Sequence, residues 1–77
     1  MKKFLVNGTH TINLANFDEF TISCNYLKLF TGGGLNAREV SFIYGTDENL
    51  TKLHKAIMEF IASDLVVFDC KKFMENL

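Results

Sequence analysis

The 77-residue sequence predicts an α+β fold in a single domain, residues 1–77. The expected architecture is a small antiparallel sheet of three to five strands, one main amphipathic helix packed on one face, and a short C-terminal helical or strand tail. Three observations predict it: strand-like runs joined by short turns occupy the first 44 residues, a single helical stripe follows, and a short apolar piece ends the chain. Strands that follow one another through short turns pair in antiparallel fashion.

The first element is a predicted hairpin in the stretch KFLVNGTHTINL. Asn7 and Gly8 stand between two strand-like runs, and Asn-Gly is a strong hairpin signal because both residue types tolerate the positive φ of a type I′ turn. The following stretch, LANFD, is predicted to form a corner, since Asn16 and Asp18 favour side-chain hydrogen bonds to the local backbone.

A long alternation of apolar and polar residues comes next and predicts strand structure. The apolar residues fall on even positions, with Lys28 as the exception: Phe20, Ile22, Cys24, Tyr26 and Phe30. Leu27 and Leu29 add apolar side chains to the opposite face. The run is long for one strand, so we expect it to bend, bulge or split near Asn25.

Three consecutive glycines, Gly32–Gly34, separate this run from the next apolar one. A phosphate-binding P-loop needs Lys and a hydroxyl residue after its last glycine, whereas Leu35-Asn36 follows here. We therefore predict a turn or mobile tip that carries recognition rather than catalysis. Residues 37–44 are interpreted as a strand paired with Tyr26–Thr31, and one helical face is the alternative that the same residues allow.

The clearest element is the predicted helix over residues 46–63. Thr46 is a good N-cap, and Asp47 and Glu48 suit the positive end of the helix dipole. Glu48 and Lys52 are spaced to pair one turn apart. The apolar stripe at helical spacing consists of Leu50, Leu53, Ile57, Phe60 and Ile61.

The end of the chain has two interpretations. In the first, Leu65–Asp69 forms a strand and a short helix follows, with Cys70, Phe73, Met74 and Leu77 on one face. A helix that short does not hold in water by itself, so it must dock on its own sheet or on a partner chain. In the second interpretation, Asp64 caps one continuous helix that runs to Leu77.

Composition favours a protein that binds another macromolecule. The chain is 48% hydrophobic, with eight Phe and two Tyr, which is more apolar side chain than one small core hides. The expected function is a non-catalytic protein–protein interaction module, a homodimer that inhibits or adapts a protein partner, for example as an inhibitor of a host defence system. The expected contact residues are Gly32, Gly33, Gly34, Leu35 and Asn36 at the tip, Tyr26, Lys28 and Phe30 on the strand, and Phe73, Met74 and Leu77 in the tail.

Two other function classes stay open. A nucleic-acid-binding module would use Tyr26, Lys28 and Phe30 together with the lysine pairs at the two ends of the chain. However, the net charge of −1 shows no basic stripe, so nucleic acid is possible but not favoured. A small-ligand sensor or minor enzyme would hold its ligand between helix and sheet.

The sequence contains no recognisable catalytic constellation, cofactor motif or metal motif. His10, His54, Cys24 and Cys70 occur singly, whereas structural zinc ligands come in closely spaced pairs. We therefore expect no enzyme activity and no cofactor. The first apolar run is too short for a signal peptide, so we expect a cytoplasmic protein with no membrane partner. Lys outnumbers Arg seven to one, and Asn is common, which suggests a low-GC bacterium or its phage.

Overall fold

The computed structural model describes residues 2–32 and 38–77 and divides them into two three-stranded sheets, two α-helices and one 3₁₀ turn. The first strands are β1 (Phe4–Asn7) and β2 (His10–Asn13), followed by a 3₁₀ turn at Leu14–Asn16. Then come β3 (Glu19–Ser23), β4 (Tyr26–Phe30) and β5 (Glu39–Tyr44). Helix α1 (Asp47–Ile61), strand β6 (Val67–Asp69) and helix α2 (Cys70–Glu75) complete the chain. The predicted α+β class is confirmed, with the strands divided between two sheets.

The first sheet joins the two ends of the chain, and we call it the terminal sheet. Its strand order is β2-β1-β6. Strand β1 pairs with β2 in antiparallel fashion and with β6 in parallel, so that Phe4 lies beside Val67 and Leu5 beside Phe68. The Phe4 N–H donates to the Val66 carbonyl at 2.8 Å. The parallel pair was not expected, because the sequence predicts antiparallel strands. It joins a strand near the N-terminus to a strand near the C-terminus.

The β1–β2 hairpin forms where the sequence predicts it, but its turn is shifted by one residue. Asn7 pairs with His10, so Gly8 and Thr9 form the turn instead of Asn7 and Gly8. Gly8 has φ of 64°, and no other residue of this turn has a positive φ. Positive φ at the first central position alone is the type II′ pattern, which glycine there satisfies without strain.

The second sheet, which we call the meander sheet, has the order β3-β4-β5 with both pairs antiparallel. The long apolar run splits into β3 and β4 near Asn25, which is one of the three outcomes predicted (a bend, a bulge or a split). Cys24 and Asn25 form the turn with φ of 54° and 64°, the type I′ pattern. Because this turn has two residues, Ile22 pairs with Leu27, and the inner face passes from even positions in β3 to odd positions in β4.

The segment Glu39–Tyr44 forms strand β5, so the helical alternative for this part of the chain is wrong. Its pairing with β4 shifts register between Leu27 and Lys28, where Phe42 is the extra residue of a β-bulge. As a result, Val40 lies opposite Leu29 on the inner face, whereas Tyr44 lies opposite Tyr26 on the outer face.

Helix α1 begins and ends close to the predicted positions. The Thr46 side chain accepts a hydrogen bond from the Asn49 N–H at 3.2 Å, and Lys52 pairs with Glu48 at 3.6 Å. The buried side of the helix consists of Leu50, Leu53, Ile57 and Phe60.

One core holds both sheets and both helices together. The fully buried side chains come from the terminal sheet, the meander sheet and the helices: Leu5, Leu27, Leu29, Leu50, Leu53, Ile57 and Cys70. The C-terminal segment is a strand followed by a helix, so the continuous-helix alternative is wrong. Asp69 caps α2, since its carboxylate accepts from the Lys72 N–H at 3.0 Å.

Candidate protein-binding face

The outer face of the meander sheet carries four large side chains, and we call this group the tyrosine face: Tyr26, Lys28, Phe30 and Tyr44. The two-residue turn places Leu27 and Leu29 inward, so the intervening residues of β4 point outward. The bulge in β5 then aligns Tyr44 with Tyr26. Three of the four residues were predicted from the sequence as contact residues, and the structure brings them together on one side of the sheet.

The two tyrosines form an aromatic pair at one end of this face. Their ring centroids lie 5.2 Å apart with an interplanar angle of 71°, an edge-to-face arrangement. Such a pair adds about 0.5–1.5 kcal/mol beyond its buried area. Tyr44 is 64% exposed and Tyr26 is 37% exposed. The pair is therefore held in place by its own contact and by the sheet beneath it, while much of its surface faces solvent.

The other end of the face carries Phe30, and the charged groups around it are more acidic than basic. The Lys28 ammonium lies 3.4 Å from the Glu39 carboxylate. Glu19 lies opposite Phe30 on β3, and its carboxylate accepts from the Thr21 hydroxyl at 3.0 Å. Lys28 is thus already paired, and two carboxylates flank this end of the tyrosine face.

A groove continues from the tyrosine face toward the C-terminal helix. It has a volume of about 590 Å³ and lies between the β1–β2 turn, the end of β5 and α2. Tyr44 forms part of its wall, and Lys71 and Glu75 supply charged side chains of both signs. The lining residues are Asn7, Gly8, Thr9, Ile43, Tyr44, Lys71, Met74 and Glu75.

The predicted tail residues have separate locations. Phe73 and Met74 are half-buried against the core, and the Phe73 ring centroid lies 5.8 Å from that of Phe68. Of the two docking modes expected for the tail, α2 uses its own chain. Leu77 is 50% exposed. The predicted tip residues Gly33, Gly34, Leu35 and Asn36 lie outside the described residues, whereas Gly32 is exposed beside the Asp18 carboxylate.

The lysine pairs near the chain ends do not form one basic patch. Lys3 donates to the carbonyls of Ser63, at 2.7 Å, and Leu65. Its ammonium also lies 4.8 Å from the centroid of the Phe60 ring. Lys71 lies beside Gly8 at the opposite end of β1. Lys3 therefore stabilises the fold, and Lys71 is separated from it by the length of strand β1.

The helix and the meander sheet leave a second, smaller cavity between them. It has a volume of about 300 Å³ and is largely apolar, with Asp18 and His54 as its charged or titratable groups. The other lining residues are Leu14, Phe17, Phe20, Met58 and Ile61. This is the location that the small-ligand hypothesis requires.

The two cysteines have opposite environments. Cys24 is exposed at the β3–β4 turn, and Cys70 is fully buried at the start of α2. Burial, with a smaller contribution from the Asp69 carboxylate, raises the pKa of Cys70 from its ordinary value of 9.0 to about 12. Within residues 2–32 and 38–77, no group of three or more His, Cys, Asp or Glu side chains is arranged to hold a metal ion.

Comparison of the chain with protein-family models, curated proteins and solved structures finds no match. None of the helices in the described part of the chain is long and apolar enough to span a membrane. Sequence reasoning missed Tyr44 as a member of the candidate site, because the bulge that turns it outward leaves no separate mark in the sequence. The sequence shows that the chain has two tyrosines, but the register that sets them side by side is seen only in the structure.

Proposed function

We propose that this protein is a non-catalytic interaction module that binds another protein through the tyrosine face and the adjoining groove. The observation that carries the proposal is the exposed edge-to-face pair of Tyr26 and Tyr44 on the meander sheet. Tyrosine is enriched among the residues that dominate binding energy at protein interfaces. It supplies a large contact area at a low entropy cost because it has only two side-chain torsions.

The surroundings of the pair resemble the anatomy of a protein interface. Apolar and aromatic surface lies at one end, and the Lys28–Glu39 ion pair and Glu19 supply a polar rim. The groove beside Tyr44, open to solvent and of about 590 Å³, offers a shallow surface for partner side chains. Because the groove carries both Lys71 and Glu75, it can accept a partner side chain of either charge beside an apolar partner side chain.

Electrostatics favours a protein over a nucleic acid as the partner. A nucleic-acid platform pairs exposed aromatic rings with free cations that meet the phosphates. Here Lys28 is paired with Glu39, and Lys3 is bound to backbone carbonyls. The carboxylates of Glu19 and Glu39 would repel a phosphate backbone from the tyrosine face.

The wider setting of the proposal follows from composition. We propose that the protein acts as a cytoplasmic homodimer that inhibits or adapts its partner, in a low-GC bacterium or during infection by its phage. One proposed role of this kind is inhibition of a host defence protein. The small-ligand alternative depends on the cavity at His54 and Asp18, and thermal stabilisation by a metabolite panel would support it.

The test compares partner capture by the native chain and by a Tyr26→Ser, Tyr44→Ser double variant. Both proteins are immobilised and exposed to bacterial lysate with and without nuclease treatment, and bound proteins are quantified by mass spectrometry. Met58→Ser is the matched control, since Met58 is an exposed apolar residue on helix α1. We expect one protein to be retained by the native chain and the control, and to be lost with the double variant.

The captured protein is then purified, and its dissociation constant is measured by calorimetry. Loss of two interface tyrosines that each contribute about 1–2 kcal/mol raises the dissociation constant by about 30-fold or more. Equal binding of the double variant would contradict the role of the tyrosine face. Recovery of nucleic acid alone, with a steep salt dependence, would move the proposal to the nucleic-acid class.

A further inference from the structure

The outer edge of strand β6 presents unpaired backbone groups. Within the described residues, β6 pairs with β1 on one side and with no strand on the other. The Val66 carbonyl points toward β1, because it accepts the Phe4 N–H. The N–H of a trans peptide points away from its carbonyl, so the Val67 N–H points to the open edge. The Val67 carbonyl points the same way, since successive carbonyls alternate along a strand.

The side chains around this edge are apolar and exposed. We call them the β6 patch: Leu65, Val66 and Val67, which are 63%, 51% and 56% exposed. The register places Phe4, which is half-buried, directly beside Val67 on the same face of the terminal sheet. Strand β3, an outer strand of the meander sheet, differs, because Glu19 and Thr21 lie along it. Charged residues discourage edge pairing, and in β6 the charge is confined to Asp69 at the C-terminal end of the strand, after the apolar residues of the β6 patch.

We propose that a second copy of this chain occupies the β6 edge, and that the two β6 strands pair in antiparallel fashion around a twofold axis at Val67. Each Val67 N–H donates to the Val67 carbonyl of the other copy, which makes a closed hydrogen-bonded pair. The two terminal sheets become one six-stranded sheet with β6 at its centre. This inference rests on the homodimer in the proposed function and assigns it a surface distinct from the tyrosine face.

The backbone groups next to Val67 explain why a second copy fits better than an extended peptide. The Leu65 N–H already donates to the Ser63 hydroxyl at 3.1 Å, and the Leu65 carbonyl accepts from Lys3. Beyond Asp69 the chain enters helix α2. Any strand that pairs here finds Val67 as the residue with both groups free, so most of the contact must come from side chains. A second copy supplies them, because its own β6 patch covers the first.

The register of the pair follows from the same groups and from charge. With the axis at Val67, Val66 lies opposite Phe68 of the other copy, and Leu65 lies opposite Asp69. No two like charges are directly opposed, which avoids a destabilising cross-strand pair. A shift of the axis to a point between Val66 and Val67 would oppose Asp64 to Asp69. The contact is isologous, so it closes as a dimer and does not propagate.

The experiment measures solution mass by sedimentation equilibrium over a dilution series. Val67→Pro removes the outward N–H, and proline is tolerated on an edge strand whose N–H faces solvent. Val67→Lys places a charge at the axis and serves as a second variant in case proline disturbs the strand. Val67→Ile keeps the N–H and the apolar side chain and is the matched control. Retention of fold is checked by the chemical-shift dispersion of each variant.

We expect the native chain and Val67→Ile to dissociate from dimer to monomer on dilution. Both Val67→Pro and Val67→Lys raise the dimer dissociation constant at least about tenfold. In addition, hydrogen exchange of the Val67 amide slows as the protein concentration rises, while that of Phe68 does not change. A native chain that is monomeric throughout, or a folded Val67→Lys variant that dimerises normally, overturns the proposal. Failure here leaves the tyrosine-face experiment unaffected, because that experiment reads capture of a different protein on another surface.

Discussion

The terminal sheet and the meander sheet differ in how the chain builds them. The meander sheet is made of three consecutive strands, and the turn between its first two strands is only two residues long. The terminal sheet unites the beginning and end of the chain, since Phe4 pairs with Val67. The meander sheet can form from local contacts, whereas the terminal sheet requires closure of almost the whole chain. Contacts between distant residues form late and carry a larger loop-closure entropy.

The two sheets also present different surfaces. The meander sheet ends in polar β3 and offers its aromatic side chains on a face. The terminal sheet offers backbone groups and the β6 patch on an edge. A sheet face contributes side chains to an interface, and a sheet edge contributes backbone hydrogen bonds. This difference supports our proposal that the face binds a foreign protein and the edge a second copy.

The largest expected effect tests whether the two sheets share one cooperative core. Leu5 in the terminal sheet and Leu27 in the meander sheet are both fully buried in the same cluster. Leu5→Ala and Leu27→Ala should each lower the free energy of unfolding by about 2–5 kcal/mol. Urea unfolding monitored by far-UV circular dichroism and tyrosine fluorescence should give a single coincident transition for each variant. Two separated transitions would show that the sheets unfold independently.

The next effect is a dependence of the unfolding free energy on pH that comes from buried Cys70. Burial raises the pKa of Cys70 to about 12 in the folded chain, from its ordinary value of 9.0. The folded state then binds more protons than the unfolded state between these values. The free energy of unfolding should therefore fall as pH rises from about 9 to about 12, by roughly 1.4 kcal/mol per pH unit.

A Cys70→Ala variant separates this effect from the titration of other groups. The difference in unfolding free energy between the native chain and the variant should change with that slope above pH 9 and stay constant below it. Alkylation gives a second readout, since exposed Cys24 should react in the folded protein and buried Cys70 only after unfolding. Equal reaction rates for the two thiols would contradict the burial of Cys70.

A smaller effect concerns the turn of the terminal sheet. Gly8 has φ of 64°, a conformation that costs residues with a Cβ about 1–2 kcal/mol. A Cβ at this position would touch only the Lys71 side chain, at 3.8 Å. Gly8→Ala should therefore lower the free energy of unfolding by about 1 kcal/mol through backbone strain alone. No change in the urea midpoint would show that Gly8 does not hold this conformation.

The smallest effect has the opposite sign and lies in the turn of the meander sheet. Cys24 has φ of 54° without being a glycine. Cys24→Gly relieves strain but also loosens the unfolded chain, so we expect a net gain of about 0.5 kcal/mol or less in the free energy of unfolding. Thermal melting measured alongside Gly8→Ala provides the comparison. A destabilised Cys24→Gly variant would mean that the thiol makes contacts that favour the turn.

Local chemistry made much of the fold predictable. Thr46 and the acidic residues after it identify the start of α1, and the spacing from Leu50 to Phe60 identifies its buried side. Asn7-Gly8 identifies the first hairpin, although the backbone uses Gly8 and Thr9 for the turn. Each of these signals lies within a few residues of the structure that it specifies.

The rest depends on pairing that the sequence does not encode locally. The two-residue turn at Cys24-Asn25 and the bulge at Phe42 each change which residues face inward. Even spacing continued unchanged from β3 would place the even positions of β4 on the inner face, whereas Leu27 and Leu29 occupy it. The parallel pairing of β1 with β6 has no local signature, because nothing in either strand indicates its distant partner. Two of the surfaces proposed for binding, the Tyr44 end of the tyrosine face and the β6 edge, arise from these non-local features.

The most direct test of the division between face and edge is sedimentation equilibrium of three proteins at matched concentrations: the native chain, Val67→Pro and the Tyr26→Ser, Tyr44→Ser double variant. Our account predicts that the native chain and the tyrosine variant dimerise with the same dissociation constant, while Val67→Pro is a folded monomer. If the tyrosine variant is monomeric and Val67→Pro dimerises normally, the tyrosine face is the dimer interface. That result would contradict the assignment of the face to a foreign protein and of the edge to a second copy.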